Sequence, residues 1–230
     1  MGKKPDCCHT DFDRLFDEPM VRRDLADYRQ NGPQGAVKHL IAAIRAEGVQ
    51  DAALLDIGGG IGVIGHELIG SGAARLTAVE LSENYLAAAR DEATDRGYAD
   101  RADFRFGDFV ELALELDAAD VVTLDHVLCC YRDWRSLVSA STAKARRLYG
   151  VVYPVDRPWW RAASVLANAA LWIMRSDFRF HIHPERAVDR LIRSAGFERR
   201  YRRGGFLWQT VLYRRADGAP VVGGRSMRTP

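Results

Sequence analysis

The chain has 230 residues, of which 47% are hydrophobic and 28% are charged, as in ordinary globular proteins. This length fits one well-filled α/β domain or two small domains. No apolar run approaches the roughly 20 residues of a membrane span, and the opening MGKKPDCCHTDFD lacks the apolar stretch of a secretory signal. We therefore expect a cytoplasmic protein without a membrane span.

Charge is distributed unevenly along the chain. Residues 1–125 contain 24 acidic and 13 basic residues, whereas residues 126–230 contain 7 acidic and 20 basic residues. Two interpretations stay open. The basic half meets an anionic partner or substrate, or the two halves neutralise each other within one fold.

The four cysteines form two adjacent pairs, Cys7–Cys8 and Cys129–Cys130. Neighbouring cysteines seldom bridge, and no spaced disulfide framework is present, so we expect reduced thiols. Neither a C-x-x-C nor an H-x-x-x-H spacing occurs, so we predict no metal site.

The first half of the chain alternates between predicted helices and strands. After a polar first segment that ends at Pro33, the apolar spacing of residues 37, 40, 41 and 44 predicts a helix that stops at Gly48. A helix holding Ile64 and Leu68 and another capped by Ser82 separate the next strands. Four apolar segments are the predicted strands: AALLDIG, ARLTAVELS, ADFRF and ADVVTLDHVL.

The second half continues the alternation. Asp133 is the predicted N-cap of a helix, RLYGVVYP a fifth strand, and residues 165–174 a helical stretch. A helix over residues 184–195 and strands near 198–203 and 206–215 follow. This order predicts a doubly wound, mostly parallel sheet with helices on both faces, whose ligands bind beyond the carboxyl ends of the strands.

The segment LLDIGGGIGVIG, residues 54–65, contains two glycine patterns at once. Gly58, Gly60 and Gly62 form G-x-G-x-G, which suits a methyl-donor site, and Gly60, Gly62 and Gly65 form G-x-G-x-x-G, which suits a dinucleotide site. Asp56 separates the two hypotheses. An unpaired carboxylate inside a buried strand is costly, so we expect Asp56 to end the strand and face a cationic ligand.

Acidic residues also end the next three predicted strands. Glu80, followed by Leu81, can accept both hydroxyls of a ribose, and Asp108 beside Phe109 suits the amino group and the face of an adenine. Asp125 ends the fourth strand. We predict that these residues, with Asp56, Gly58 and Gly60, bind a methyl-donor cofactor.

Four of these segments, LLDIGGGIG, AVELS, FRFGDF and VVTLDHV, resemble in order and spacing the class I S-adenosylmethionine-dependent methyltransferases. The resemblance covers about residues 35–215. It implies a Rossmann-like sheet of seven strands with the last strand antiparallel, and S-adenosyl-L-methionine as cofactor. The stretches DLADYRQNGP, LDHVLCCYRDW and FRFHIHPERAVDRLIRSAGF are similar to a subgroup that includes magnesium-protoporphyrin O-methyltransferases.

The resemblance divides the chain into a lid segment (1–34), a methyltransferase domain (35–217) and a flexible tail (218–230). In the lid, Tyr28 and Arg29 are candidates to contact the methionine end of the cofactor, with a solvated helix face as the alternative. Asp108 has a second interpretation as a helix N-cap. The candidate catalytic bases are His126, Tyr131 and His183.

The predicted function is in-line methyl transfer to a small acceptor, aromatic or anionic, with O-methylation favoured. The region that holds Trp159, Trp160 and Trp172 is expected on the acceptor side or in ordinary packing. Alternatives are a non-catalytic or regulatory subunit that keeps the fold and an NAD(P)-linked oxidoreductase. The latter is disfavoured because no tyrosine has a lysine four residues on. Nucleic acid is not the expected partner.

Overall fold

A computed structural model of the protein describes residues 16–176 and 178–218. The strands among them are β1 (Ala53–Ile57), β2 (Arg75–Glu80), β3 (Ala102–Phe106), β4 (Ala119–Asp125), β5 (Ala145–Pro154), β6 (Phe197–Gly204) and β7 (Trp208–Arg215). They form one sheet in the order β3-β2-β1-β4-β5-β7-β6. All strands run parallel except β7, which is antiparallel to both of its neighbours. The predicted seven-stranded sheet with a reversed last strand is confirmed.

Helices cover both faces of the sheet. They are α1 (Glu18–Asn31), α2 (Gly35–Ala46), α3 (Val63–Ile69), α4 (Glu83–Asp95), α5 (Phe109–Leu112), α6 (Trp134–Lys144), α7 (Pro158–Ile173) and α8 (Glu185–Ser194). Side chains alternate across a strand, so Leu54 packs into one core with α2 and α3, and Leu55 into the other with α6 and α8. Each fully buried leucine contributes about 2 kcal/mol.

Two helix caps follow the sequence prediction. The Ser82 hydroxyl accepts a hydrogen bond from Tyr85 N at 3.3 Å, and the Asp133 carboxylate accepts one from Ser136 N at 3.2 Å. These bonds satisfy amides at the start of α4 and α6 that have no partner within the helix.

Two helices differ from the prediction. Helix α1 lies in the lid segment, for which a helix was only the alternative interpretation, and Asp17 caps it by accepting from Met20 N at 3.0 Å. Helix α7 begins at Pro158, seven residues before the predicted stretch at 165. Both begin with a proline in the first turn, where its fixed φ and missing amide are tolerated, and this start signal was overlooked. No helix of the described residues is long and apolar enough to cross a membrane.

The strand order determines where a ligand can bind. From β1 the chain moves outward through β2 to β3, and from β4 it moves the opposite way to β5. The helices that follow β1 and β4 therefore leave a crevice at the carboxyl ends of these neighbouring strands. Several residues of the charged C-terminal half are paired within the fold, since Arg200 and Arg214 approach Glu47, and Arg202 approaches Glu185. The two pairs with Glu47 join the basic and acidic halves, which favours internal neutralisation for part of the charge asymmetry.

Candidate functional site

A cleft of about 510 Å³ opens at the carboxyl ends of β1 to β4, with α1 along one side. Most of the predicted site residues line it: Tyr28, Gly58, Gly60, Glu80, Leu81, Asp108, Phe109, Asp125, His126 and Tyr131. Asp56, Arg29 and His183 do not. Most of the predicted residues therefore lie at the cleft, and the three exceptions have physical reasons given below.

The floor of the cleft is the turn of three glycines after β1. Gly58 and Gly60 have φ of +63° and +57°, a region that side chains disfavour. A Cβ at Gly58 would overlap Val127, and one at Gly59 would overlap the Asp56 carboxylate. The turn therefore has to be bare backbone, which permits the close approach of a ligand. In the second glycine pattern, Gly65 lets α3 pack closely on Leu76 of β2, so that pattern has a packing role.

Asp56 does not face the cleft, and the prediction of its orientation is wrong. It is the next-to-last residue of β1, and the glycine turn lies between its carboxylate and the cleft. Its Oδ1 accepts a hydrogen bond from Thr123 Oγ1 at 2.6 Å, and its Oδ2 has no partner among the described residues. Burial, only partly offset by Thr123, raises the pKa of Asp56 to about 7.

Glu80 joins two loops at the centre of the cleft. Its Oε2 accepts from Gly60 N at 3.0 Å, and its Oε1 accepts from Leu81 N at 2.8 Å and Ser82 N at 3.0 Å. These amides fix the carboxylate at the end of β2, where it is half-buried and lines the cleft. Its position is therefore determined by backbone groups and needs no other charged side chain.

Asp108 is held in the wall of the cleft by two kinds of donor. Its carboxylate accepts from Val110 N at 2.8 Å, which caps α5, and from the Tyr131 hydroxyl at 2.9 and 2.8 Å. The N-cap interpretation is confirmed, and the same carboxylate also lines the cleft beside Phe109. Tyr131 thus donates its proton to Asp108, which leaves its hydroxyl unsuited to act as a general base.

Asp125 and His126 form a pair at the far side of the cleft. His126 Nδ1 lies 2.5 Å from Asp125 Oδ1, and the imidazole meets the Trp208 ring edge to face at 4.1 Å. Burial alone would lower the pKa of His126, but the Asp125 charge outweighs it and the pKa is raised. His126 has φ of +58°, a conformation that costs of order 1 kcal/mol and is enriched at functional sites.

Residues 54–148, which include the glycine turn, Glu80, Asp108 and the Asp125–His126 pair, match the family model of a methyltransferase domain. This match agrees with the predicted resemblance to the S-adenosylmethionine-dependent methyltransferases. No curated protein matches the chain in sequence.

Solved methyltransferases share the fold of this domain. The magnesium protoporphyrin IX methyltransferase from Synechocystis PCC 6803 with bound S-adenosylhomocysteine has a TM-score of 0.64 at 16% identity, over 87% of this chain and 100% of that one. The same enzyme with bound S-adenosylmethionine has a TM-score of 0.64 at 18% identity, over 90% and 92%. An O-methyltransferase family protein from Burkholderia thailandensis has a TM-score of 0.68 at 16% identity, over 89% and 62%. At such identities the similarity concerns the fold.

Helix α1 holds its two predicted residues differently. Tyr28 is buried, lines the cleft and donates its hydroxyl to Glu67 at 2.9 Å. Arg29 points away from the cleft to Glu92 and Asp95 of α4, with nitrogen–oxygen distances of 2.7 and 2.6 Å. The prediction that Arg29 contacts the cofactor is therefore wrong, because adjacent residues on a helix face about 100° apart and only one can face the cleft.

His183 is a structural residue and not part of the cleft. Its Nε2 donates to the carbonyl oxygens of Leu128 at 2.8 Å and Tyr131 at 3.0 Å, and burial lowers its pKa to about 4. A neutral imidazole with these bonds holds the loop after β4 against the segment before α8. The prediction of His183 as a catalytic base is wrong, since its ring does not line the cleft.

The adjacent thiols of Cys129 and Cys130 are free, with the sulfur atoms 3.6 Å apart. Cys130 lines the cleft, whereas Cys129 is buried, and the contact with Cys130 together with burial raises the pKa of Cys129. Cys7 and Cys8 lie outside the described residues. Within 16–176 and 178–218, no group of three or more His, Cys, Asp or Glu side chains could hold a metal ion.

Among the lining residues that the sequence did not single out, three form one side of the cleft. Phe16, Asp24 and Tyr85 form the wall between α1 and α4, where the Tyr85 hydroxyl donates to Asp24 at 2.6 Å and the Phe16 ring lies 5.2 Å from the Tyr85 ring. No motif marks them, because their proximity arises from the docking of α1 on α4. The spacing of Asp24 and Tyr28, one helical turn apart, is the only local signal that both face one side.

Proposed function

We propose that the methyltransferase transfers a methyl group from S-adenosylmethionine to an oxygen atom of a small acceptor that is aromatic or anionic. The observation that carries this proposal is the division of the cleft into two chemically different walls. Carboxylates of Glu80 and Asp108 line one side, and the Asp125–His126 pair with Cys130 and Tyr131 lines the other.

The acidic wall suits the donor, whose sulfonium and ammonium groups are positively charged. Glu80 would accept from the ribose hydroxyls, while Asp108 and Phe109 would face the adenine. The glycine turn at Gly58 and Gly60 allows the backbone to approach the ligand, since any Cβ at Gly58 would collide with Val127. When bound, S-adenosylmethionine supplies a methyl group that is activated by its positively charged sulfur.

The other wall suits an aromatic acceptor. Trp208 lies against His126 at 4.1 Å between ring centroids, and Phe180 lies against Trp208 at 6.2 Å, in both cases edge to face. Neither of these two rings lines the cleft; they pack beside His126, whose imidazole lines it and offers a flat face to a planar ligand. Cys130 and Tyr131 complete this side of the cleft.

Basic side chains beside this wall favour an acceptor with a carboxylate. The backbone amide of His181 donates to Cys129 O at 2.6 Å, which fixes His181 next to the loop after β4. Burial and then the nearby charges of Arg132 and Arg179 lower the pKa of His181. This positive field would attract an anionic acceptor and offset the acidic donor wall.

The protein would contribute mainly alignment and exclusion of water, which can remove about 7–11 kcal/mol of the barrier in favourable cases. A carboxylate acceptor is already a nucleophile and needs no base. For a phenolic acceptor, His126 is placed to take the proton, and Asp125 would stabilise the resulting imidazolium. His183 and Tyr131 do not have that role, for the reasons given above.

The test is a transfer assay with methyl-labelled S-adenosylmethionine and a panel of aromatic carboxylic acids, porphyrins with propionate groups, phenols and RNA. We expect label in a small aromatic acid, released as methanol by mild alkali because a methyl ester is base-labile. Label in RNA alone, or an alkali-stable N-methyl product, would contradict the proposed acceptor.

Two variants test whether His126 acts as a general base or only aligns the acceptor. His126→Asn is expected to lower kcat about 100-fold with a phenol and by less than tenfold with a carboxylate acceptor. His39→Asn, which lies outside the cleft, is the control and should leave both rates unchanged. Equal losses for both acceptor types in His126→Asn would exclude a role as base.

A further inference from the structure

Helix α7 exposes an apolar surface along its whole length. None of its sixteen residues is buried. The exposed side chains on and just after it are large and apolar: Trp159 (56% exposed), Val165 (68%), Leu166 (73%), Trp172 (71%), Ile173 (74%) and Met174 (76%). Soluble proteins rarely leave such a contiguous patch in water, because each exposed Å² forgoes about 25 cal/mol of burial.

The opposite side of α7 is fixed to the protein. Asn168 donates its amide to Phe180 O and accepts from Phe180 N, both at 2.8 Å. Trp160 donates to Phe206 O at 2.9 Å, and the two rings lie 5.0 Å apart. These contacts hold the helix in one orientation, with the apolar patch turned outward. Phe206, 75% exposed, extends the patch beyond the helix.

Charge and aromatic placement around the patch fit a lipid interface. The sequence from residue 157 to residue 176 contains three arginines and no acidic residue. Trp159 lies at the start of α7 and Trp172 at its end, and the Arg157 guanidinium lies 5.3 Å from the Trp159 ring. Tryptophan at both ends and arginines beside an apolar face are typical of helices that lie in the headgroup region of a bilayer.

A second copy of the chain fits the patch less well. In a twofold dimer each surface meets itself, so Arg157 and Arg175 of one copy would face the same arginines of the other, while Asp156 is already paired with Arg161 at 2.5 Å. An anionic lipid surface is instead complementary to the same arginines, each of which contributes about 1 kcal/mol near such a surface. Charge therefore selects the lipid over the second copy.

We propose that α7, with Phe206, docks the methyltransferase on an anionic lipid bilayer as an interfacial helix. The contacts from Asn168 through Phe180 and Trp208 to His126 place this surface next to the acceptor wall of the cleft. The docked enzyme would thus present that wall toward the bilayer. This binding is independent of the methyl-transfer chemistry and can be measured without an acceptor.

The experiment is cosedimentation of the full chain with vesicles of phosphatidylcholine, alone or with phosphatidylserine. We expect binding to the mixed vesicles that weakens at high salt, and at least tenfold weaker binding of the double variant Leu166→Glu/Trp172→Glu. Leu114→Glu, at a 95% exposed leucine outside α7, is the matched control and should bind like the parent. Thermal unfolding of each variant shows that its fold is retained.

Three results would overturn the proposal. The parent protein stays in the supernatant with both kinds of vesicle, or the double variant and Leu114→Glu bind equally well. The third is a dimer in solution that Leu166→Glu converts to a monomer, without vesicle binding by the parent, which would assign the patch to a second copy of the chain.

Discussion

The two walls of the cleft are built in different ways. On the acidic wall, backbone amides and a tyrosine hydroxyl hold Glu80 and Asp108 directly at the ends of β2 and β3. On the aromatic wall, His126 lines the cleft after β4 and packs against Trp208 at the start of β7, which packs against Phe180 before α8. In the acidic wall each carboxylate lies close to the end of its own strand. The aromatic wall joins segments about 80 residues apart in sequence.

This difference separates the wall that suits a shared cofactor from the wall that suits a particular acceptor. A wall fixed by backbone amides tolerates little change and suits a cofactor that is the same in every member of a fold family. A wall made of aromatic side chains from distant segments can change without disturbing the sheet. The acidic wall therefore reports the reaction class, and the aromatic wall reports the acceptor.

Replacing Glu80 by Gln should produce the largest effect on the acidic wall. We expect the Kd for S-adenosylhomocysteine to rise about 100-fold, because a charged acceptor of two hydrogen bonds contributes about 1.5–3 kcal/mol. Calorimetric titration measures this. Glu115→Gln, at an exposed position outside the cleft, is the control. Unchanged affinity in Glu80→Gln would remove Glu80 from the donor site.

Adding one methyl group to the glycine turn tests how tightly this wall is packed. Gly58→Ala should lower the free energy of unfolding by about 2–3 kcal/mol, because the Cβ overlaps Val127 at a positive φ. Gly97→Ala has a similar φ of +73° with no atom within 4 Å, so it should cost only about 1 kcal/mol. Chemical denaturation compares them, and equal losses would mean that the overlap is relieved.

The buried Asp56 predicts a pH dependence of stability. Its folded pKa of about 7 exceeds the ordinary 3.8, so the folded state binds more protons and stability falls as pH rises from about 4 to 7. Between pH 5 and pH 8, Asp56→Asn should gain on the parent by on the order of 2 kcal/mol of unfolding free energy. Asp117→Asn, at an exposed site, should show no such gain. If the difference in unfolding free energy between Asp56→Asn and the parent did not change with pH, Asp56 would not be the group whose pKa is raised.

The smallest expected effect concerns the hydroxyl that orients Asp108. Tyr131→Phe should raise the KM for S-adenosylmethionine about fivefold, in line with the loss of roughly 1 kcal/mol of hydrogen bonding. Tyr149→Phe removes another buried hydroxyl, bonded to Ser141 at 2.8 Å outside the cleft. It should lower stability similarly while leaving KM unchanged. If Tyr149→Phe raised KM equally, the effect of Tyr131→Phe would reflect a general loss of stability and not the loss of its hydrogen bond to Asp108.

The sequence predicts the acidic wall well because its signals are local. The glycine turn, the acids at the ends of β2 to β4 and the caps Ser82 and Asp133 all follow from short segments. The direction of Asp56 was predicted wrongly because it depends on whether the strand ends one residue earlier or later, which decides the face that a side chain takes. The hydrophobic periodicity of a sequence does not locate the end of a strand to a single residue.

Tertiary contacts account for the other errors. Arg29 turns to Glu92 and Asp95 because α1 docks on α4, and His183 is occupied by the carbonyl groups of a loop more than 50 residues earlier. Neither contact leaves a periodic or motif signal. The exposure of α7 was equally hidden, since an apolar helix has the same composition whether it is in a core or on a surface.

The most direct test of the central claim is a crystal structure of the protein grown with S-adenosylhomocysteine. The account predicts the nucleoside in the cleft, its ribose hydroxyls within hydrogen-bond distance of Glu80 and its adenine beside Asp108 and Phe109. A nucleoside bound elsewhere, or ribose hydroxyls out of reach of Glu80, would contradict the assignment of the acidic wall to the methyl donor.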